Sequence, residues 1–301
     1  MKKVLIFIFC TVLIVAVCDV LVGIASVSYV KNHSLPGRYQ PLDLLIRQVE
    51  PDILLLGNSV IQNAVNPDVV KDSTNMTCYN GGISGQDIRF FETMLDCALQ
   101  RYTPRVVVLG FRPEELGDGV GDGIFDVLRP YYHTGYSSID EHFDASSSEE
   151  KLLLRSSFYR FNIVWMRIIL YSLFDHTEYS PNGFSAQNVP LVFPSVRELQ
   201  KADVPVKYKL DCLERMMAKC QSRGVQLFVC FTPALMAFPQ YPLPCVAAAE
   251  DLCLQYGFEC WADYDDPFFL KAPELFADNV HLNVNGAKVY SQLFASRLAH
   301  N

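Results

Sequence analysis

The chain has 301 residues, half of them hydrophobic, and a formal net charge of −8. This is the composition of a globular protein rather than a disordered chain, and the length suits one large domain or one domain with an insertion. The acidic balance, with no long basic run, argues against a nucleic-acid partner.

The N-terminus carries the strongest physical signal. Met1-Lys2-Lys3 precedes residues 4–30, which are apolar or small throughout except for Asp19. As a helix, such a stretch crosses ~30 Å of hydrocarbon. A cleaved signal peptide with residues 4–17 as its apolar core is the rival. No small-x-small cleavage site follows, and Val17-Cys18 is a poor lipoprotein site, so an uncleaved anchor over 1–31 is expected. Lys2 and Lys3 place the N-terminus in the cytoplasm and the rest outside a cell membrane crossed once, although Lys31, Arg38 and Arg47 weaken the asymmetry. Asp19 inside the span is costly and reads as interfacial or as facing a partner helix. Eight of the ten cysteines follow the span. An even number permits disulfides in an exported domain, with buried free thiols the default on apolar faces such as that of Cys230.

Residues 32–50 read as a juxtamembrane connector, and 51–301 as the folded domain. The apolar run 53–56 predicts a buried strand ending at Gly57-Asn58-Ser59. Ser59 then sits at the C-terminal strand edge, where α/β sheets bind ligands, as a nucleophile or as a helix N-cap. Asn66-Pro67 starts a short helix over 66–71. A second strand over 76–79 runs into Asn80-Gly81-Gly82-Ile83-Ser84-Gly85. Ile88, Phe91, Leu95 and Leu99 predict a helix over 87–101. A third strand over 105–110 leads to Phe111-Arg112. Residues 113–205 break the alternation and read as an insertion or lid holding one long helix over 149–174. Its aromatics, interleaved with Arg155, Arg160 and Arg167, suit a membrane interface, a protein groove, or packing on the domain itself. His133 and His142 with Asp140, Glu141 and Asp144 can be drawn as a metal site but read as a solvated loop; no metal and no cofactor are expected. A helix over 207–223, a strand over 225–231 ending at Thr232-Pro233, a helix over 244–256, a strand over 258–261 and a helix over 285–299 complete the chain.

Strands alternating with helices predict a three-layer α/β/α fold with a five-stranded parallel sheet. Asp278 lies three residues before His281. A carboxylate at that spacing orients an imidazole by accepting from Nδ1–H and leaves Nε2 free as a base; the other reading of Asp278 is a cap for the last helix. Ser59 precedes His281 by 222 residues, and the order along the chain is Ser, Asp, His. The N–H groups of Ser59 and Gly85 are candidate oxyanion donors.

Gly57-Asn58-Ser59, the Asn80–Gly85 turn and Asp278-Asn279-Val280-His281-Leu282-Asn283 resemble blocks one, two and five of the SGNH/GDSL hydrolase superfamily. The resemblance covers about 50–112 and 207–299 and leaves out the insertion. With the anchor, it is similar to membrane-anchored members of the DltD type and the alginate-acetylation type. It implies the flavodoxin-like SGNH fold, Ser59 as nucleophile, His281 as base, Asp278 as its orienter and Gly85 as an oxyanion donor. It also implies acyl transfer or ester hydrolysis on O-acyl groups of an envelope or extracellular polysaccharide, a glycan or acylated small molecule as substrate, and a multi-spanning membrane acyltransferase as partner. Asn58 and Thr232 are candidate substrate contacts. The sequence departs from the family at block three, where Gly110-Phe111-Arg112-Pro113 puts Arg112 near the place of an oxyanion-donating asparagine. Arg112 reads as an oxyanion or acceptor-binding group or as a surface ion pair with Glu114 or Glu115. A non-catalytic role, binding a glycan or serving a membrane acyltransferase complex as an accessory protein, is the alternative.

Overall fold

Residues 53–56 are apolar because the strand they form is covered on both faces, and all five residues of β1 (Ile53–Gly57) are buried. The computed structural model describes every residue except 119–124, 163, 175–179, 200, 240 and 301, and all side chains of the described residues but those of Arg38, Phe125 and His300. Around β1 stand β2 (Cys78–Asn80), β3 (Val106–Phe111), β4 (Gln226–Phe231) and β5 (Glu259–Ala262). The sheet order is β2-β1-β3-β4-β5 and every pairing is parallel. This is the expected α/β fold.

The helices are α1 (Lys2–Asn32) and α2 (Gln40–Arg47) ahead of the sheet, then α3 (Ser59–Ala64), α4 (Pro67–Thr74) and α5 (Ile88–Arg101) between its first strands. After β3 come α6 (Ser137–Asp144), α7 (Ser148–Leu154), α8 (Ser157–Phe161) and α9 (Val164–Phe174). α10 (Lys207–Ser222), α11 (Pro244–Tyr256), α12 (Pro267–Leu270) and α13 (Val284–His300) complete the set. Successive strand residues face opposite ways. Ile53, Leu55, Val106, Val108, Phe228 and Cys230 share a core with Ile61 of α3, Val70 of α4 and Tyr290 and Phe294 of α13. On the other face, Phe111 stacks against Phe91 of α5 with ring centroids 6.0 Å apart. Buried polar bonds hold α13 in place. Tyr290 donates to Asp263 at 2.7 Å, and Arg297 reaches the same carboxylate at 2.6 and 2.8 Å.

The chain divides into two compact units, one of Met1–Asp43 with Phe125–Glu178, the other of Leu44–Ile124 with Tyr179–Asn301. The second carries the sheet. α1 is long and apolar enough to cross a membrane. The single helix expected over 149–174 is three helices, α7, α8 and α9. Ser147 caps the start of α7 and Ser156 begins α8, their hydroxyls accepting from the N–H of Glu150 and of Tyr159. Apolar residues recur on either side of each break, so their periodicity concealed them. The connector over 32–50 contains α2, which buries Leu42, Leu45 and Ile46. All ten cysteines are free thiols, so the disulfides their even number allowed are not formed. Burial pushes the thiols of Cys212 and Cys220 up to about 12, as expected of inert core residues.

The order reverses between β1 and β3, which places the topological switch point at their C-terminal ends. Three glycines meet there around Ile61. A Cβ on Gly57 would lie 2.7 Å from the Ile61 Cγ2 and 2.4 Å from the Gly110 carbonyl oxygen; one on Gly110 would lie 2.4 Å from the Ile61 Cβ; one on Gly82 would lie 2.8 Å from the Ile61 Cγ2. Gly57 and Gly110 are register partners. Only without side chains at these positions does α3 start directly off the strand ends. Gly110→Ala is expected to cost about 1–3 kcal/mol by overpacking, measured as a lower urea midpoint of the detergent-solubilised chain at unchanged slope.

Candidate active site

Ser59 is the first residue of α3, and Asn58 is its N-cap, the Asn58 Oδ1 accepting from the N–H of Val60 at 3.1 Å. The capping role weighed for Ser59 thus belongs to its neighbour. The serine hydroxyl is released to act elsewhere, and the Ser59 Oγ lies 2.7 Å from the His281 Nε2.

His281 is held from its other side. Its Nδ1 is 2.8 Å from the Asp278 Oδ2, and its backbone N–H donates to the Asp278 Oδ1 at 2.9 Å. The Val280 N–H donates to the same oxygen at 2.8 Å. Burial pushes the Asp278 carboxyl upward, but these hydrogen bonds from the imidazole and two N–H groups outweigh it and hold the group down at about 2. Asp278 is therefore a carboxylate at any physiological pH. It fixes the tautomer with Nδ1–H donating to Asp278, which leaves Nε2 to accept from the Ser59 hydroxyl.

The loop bearing this pair is tied down by two asparagines. The Asn279 Nδ2 donates to the carbonyls of Ser195 at 2.6 Å and Leu235 at 3.2 Å. Asn283 is fully buried, donates to Glu274 at 2.8 Å and Phe276 at 3.1 Å, and accepts from the N–H groups of Asn285 and Gly286. Asn283, and not Asp278, therefore caps the start of α13. A Cβ on Gly286 would lie 2.0 Å from the Leu275 carbonyl oxygen, so that cap closes only on glycine.

On the opposite side of Ser59, the glycine turn is pinned to α3. Asn80 is fully buried; its Nδ2 donates to the carbonyls of Ile61 and Val65, each at 2.8 Å, and its Oδ1 accepts from Gly82 at 3.0 Å. The Ser84 hydroxyl donates to the Gln62 Oε1 at 2.8 Å. Gly85 is exposed at φ +78°, with open space where its side chain would be. Among the described residues, the N–H groups of Ser59 and Gly85 make no hydrogen bond within the protein.

Three sequence expectations change here. Asn58 is 4% exposed, and its Nδ2 donates to the Glu115 Oε2 at 2.6 Å. Buried and bonded at both ends of its amide, it shapes the first turn of α3. Thr232 is 2% exposed and turned back on the Phe111 carbonyl, so it is a strand-end residue as well. The Arg112 Nε reaches the Glu115 Oε2 at 3.4 Å. That partner is completely buried, so the ion pair is not a surface one.

Glu115 was undervalued by sequence reading. Burial raises its carboxyl against the pull of Arg112 and Lys209. The Lys209 Nζ donates to the backbone carbonyls of Glu115 at 3.1 Å and Gly117 at 2.8 Å. Glu115 thereby ties the end of β3 to the residue before Ser59. Two adjacent glutamates after a strand carry no period that would separate the buried one from its neighbour. Asn80 did have a signal, an amide at a strand end just before two glycines.

The His133 N–H donates to the Asp140 Oδ1 at 2.6 Å, and among the described residues no three metal-ligating side chains converge. A cavity of about 390 Å³ at the β2 edge, lined by Pro51, Cys78, Tyr79 and Pro181 among others, includes none of Ser59, Asp278 and His281.

No protein-family model matches the chain, and no curated protein matches it. Among solved structures, it is similar to a lipase/acylhydrolase from Enterococcus faecalis, at 12% identity and a TM-score of 0.42, over 82% of this chain and 95% of that one.

Two predictions follow from this geometry. Glu115→Ala strips Asn58 and Arg112 of their acceptor and is expected to cost about 1–3 kcal/mol, read by urea unfolding, while Glu115→Gln keeps an acceptor and costs less. Because the Asp278 carboxyl falls from its ordinary 3.8 to about 2 on folding, its contribution to stability is complete above the ordinary value and is lost as the pH falls through the folded one. The melting-temperature gap between wild type and Asp278→Asn is expected to stay constant above about pH 5 and to close toward about pH 2.

Proposed function

We propose that the chain is a membrane-tethered serine esterase or acyltransferase of the SGNH type. The observation that carries this reading is the continuous hydrogen-bonded line from the Ser59 Oγ through the His281 imidazole to the Asp278 carboxylate, at 2.7 and 2.8 Å.

The chemistry follows from that line. His281 Nε2 takes the Ser59 proton as the oxygen attacks an acyl carbonyl. The imidazolium that forms is paired with a carboxylate that stays ionised. The free N–H groups of Ser59 and Gly85 are the donors for the developing oxyanion. His281 then returns its proton to the departing alcohol, leaving an acyl-serine. Water resolves the acyl-serine by hydrolysis, or a sugar hydroxyl takes the acyl group by transfer. The proposed substrates are O-acyl groups of an envelope or extracellular polysaccharide, with the sheet-bearing unit outside the cell, α1 in the membrane and a multi-spanning acyltransferase as partner. No metal is needed in any step.

A second reading has one observation behind it. Arg112, near the place where the family pattern sets an oxyanion-donating asparagine, is drawn to Glu115, which leaves two backbone donors. Losing one oxyanion donor costs about 10²–10³ in rate. The cleft would then bind an acylated ligand without turning it over.

The two readings part on one experiment. A fluorophosphonate probe is expected to label the wild-type chain, to fail on Ser59→Ala folded to the same circular dichroism, and to label Asp278→Asn about 10⁴-fold more slowly. A wild type that is not labelled, or a Ser59→Ala variant labelled equally, decides for binding.

A further inference from the structure

α1 is not apolar and solitary along its whole length. Every residue before Asp19 is exposed, whereas Gly23, Ser26 and Val30 are buried. With Asp19 these form a stripe at spacings of four, three and four, one face of a helix. The stripe meets α8 and α9 of the same unit. The Asp19 carboxylate accepts from the Ser156 hydroxyl at 2.8 Å and from the N–H groups of Ser157 at 3.0 Å and Phe158 at 2.7 Å, and so caps the start of α8. A Cβ on Gly23 would lie 2.2 Å from the Ser157 Oγ. The Trp165 Nε1 donates to the Ser26 hydroxyl at 2.7 Å.

These bonds set a depth. Sixteen residues separate Lys3 from Asp19, about 24 Å of helix at 1.5 Å per residue, less than the ~30 Å of a hydrocarbon core. If Lys3 marks the inner boundary, Asp19 reaches no further than the outer margin of the hydrocarbon. The start of α8 is held at the same level.

The outward face of α9 matches that level. Met166, Ile169, Leu170, Leu173 and Phe174 are all exposed, at i, i+3, i+4, i+7 and i+8, a continuous apolar face. The opposite face is covered. Val164 and Ile168 are buried, and Tyr171 rests where a side chain on Gly37 would be. Arg167 is the one charged residue of α9; its Nη1 is 3.2 Å from the Asp126 Oδ2, which leaves the exposed face without charge.

We infer that α9 is a second membrane contact, lying in the outer leaflet beside α1 with Met166, Ile169, Leu170, Leu173 and Phe174 among lipid acyl chains. The occupant is lipid and not a second protein because α1, which α8 and α9 grip, already commits this unit to the bilayer. The inference rests on the reading of α1 as a membrane span.

The test uses the full chain in phosphatidylcholine vesicles containing a phosphatidylcholine with a diazirine on its acyl chain. Illumination and peptide mapping are expected to place lipid adducts on residues 4–18 and on residues 166–174, and none on α10 of the sheet-bearing unit. Adducts on 4–18 with none on 166–174 overturn the inference and leave the anchor standing. Adducts on neither segment overturn the anchor and the inference with it. Protein–protein cross-links at 166–174 in place of lipid adducts assign the face to a second copy of the chain and overturn the inference as well.

Discussion

The close approach of Ile61 to Gly57, Gly82 and Gly110 is the constraint on which the candidate site depends. A helix that starts one residue after a buried strand must bring its first turn against the neighbouring strand, and side chains on these glycines would stand 2.4–2.8 Å from Ile61. Their absence lets α3 begin at the strand ends. Asn58 then caps the helix, and the hydroxyl of the next residue is free to meet an imidazole. Asn80 and Glu115 secure the same turn from the β2 and β3 sides, one by an amide that bonds three backbone groups, the other by a carboxylate that accepts from Asn58 and Arg112.

Two carboxylates flank the serine in contrasting surroundings. Asp278 gathers hydrogen bonds from an imidazole and two N–H groups and stays ionised. Glu115 is enclosed, and burial lifts its carboxyl despite a guanidinium and an ammonium nearby. The first is suited to stabilising an imidazolium that forms during a reaction. The second is suited to a fixed framework, since a buried carboxylate keeps its place only while its partners stay in theirs. That difference separates a carboxylate suited to the proposed chemistry from one that positions its neighbours, although both lie within reach of the same turn.

The sheet was legible because buried parallel strands are short apolar runs between glycines and helices, and period alone finds them. The Ser59, Asp278 and His281 set was legible because two short blocks follow strand ends and a third precedes the last helix. The break between α7 and α8 was not, because it depends on the Ser156 hydroxyl and on a carboxylate from residue 19. The inward turn of Asn58, the seclusion of Thr232 and the burial of Glu115, the partner of Arg112, were not legible either. A side chain's partner across the fold leaves no mark on its neighbours in sequence.

Local pattern alone therefore determined the α/β alternation, the apolar N-terminal segment and the residue types at the sheet edge, since these follow from hydrophobic period and backbone propensity. Tertiary structure decided which polar groups at that edge are spent on one another and which are left free. That choice is set by distances between residues as far apart as 59 and 281, where desolvation makes every unpaired polar group costly. It left the hydroxyl of Ser59 and the imidazole of His281 facing each other, and it turned Asn58 and Thr232 inward.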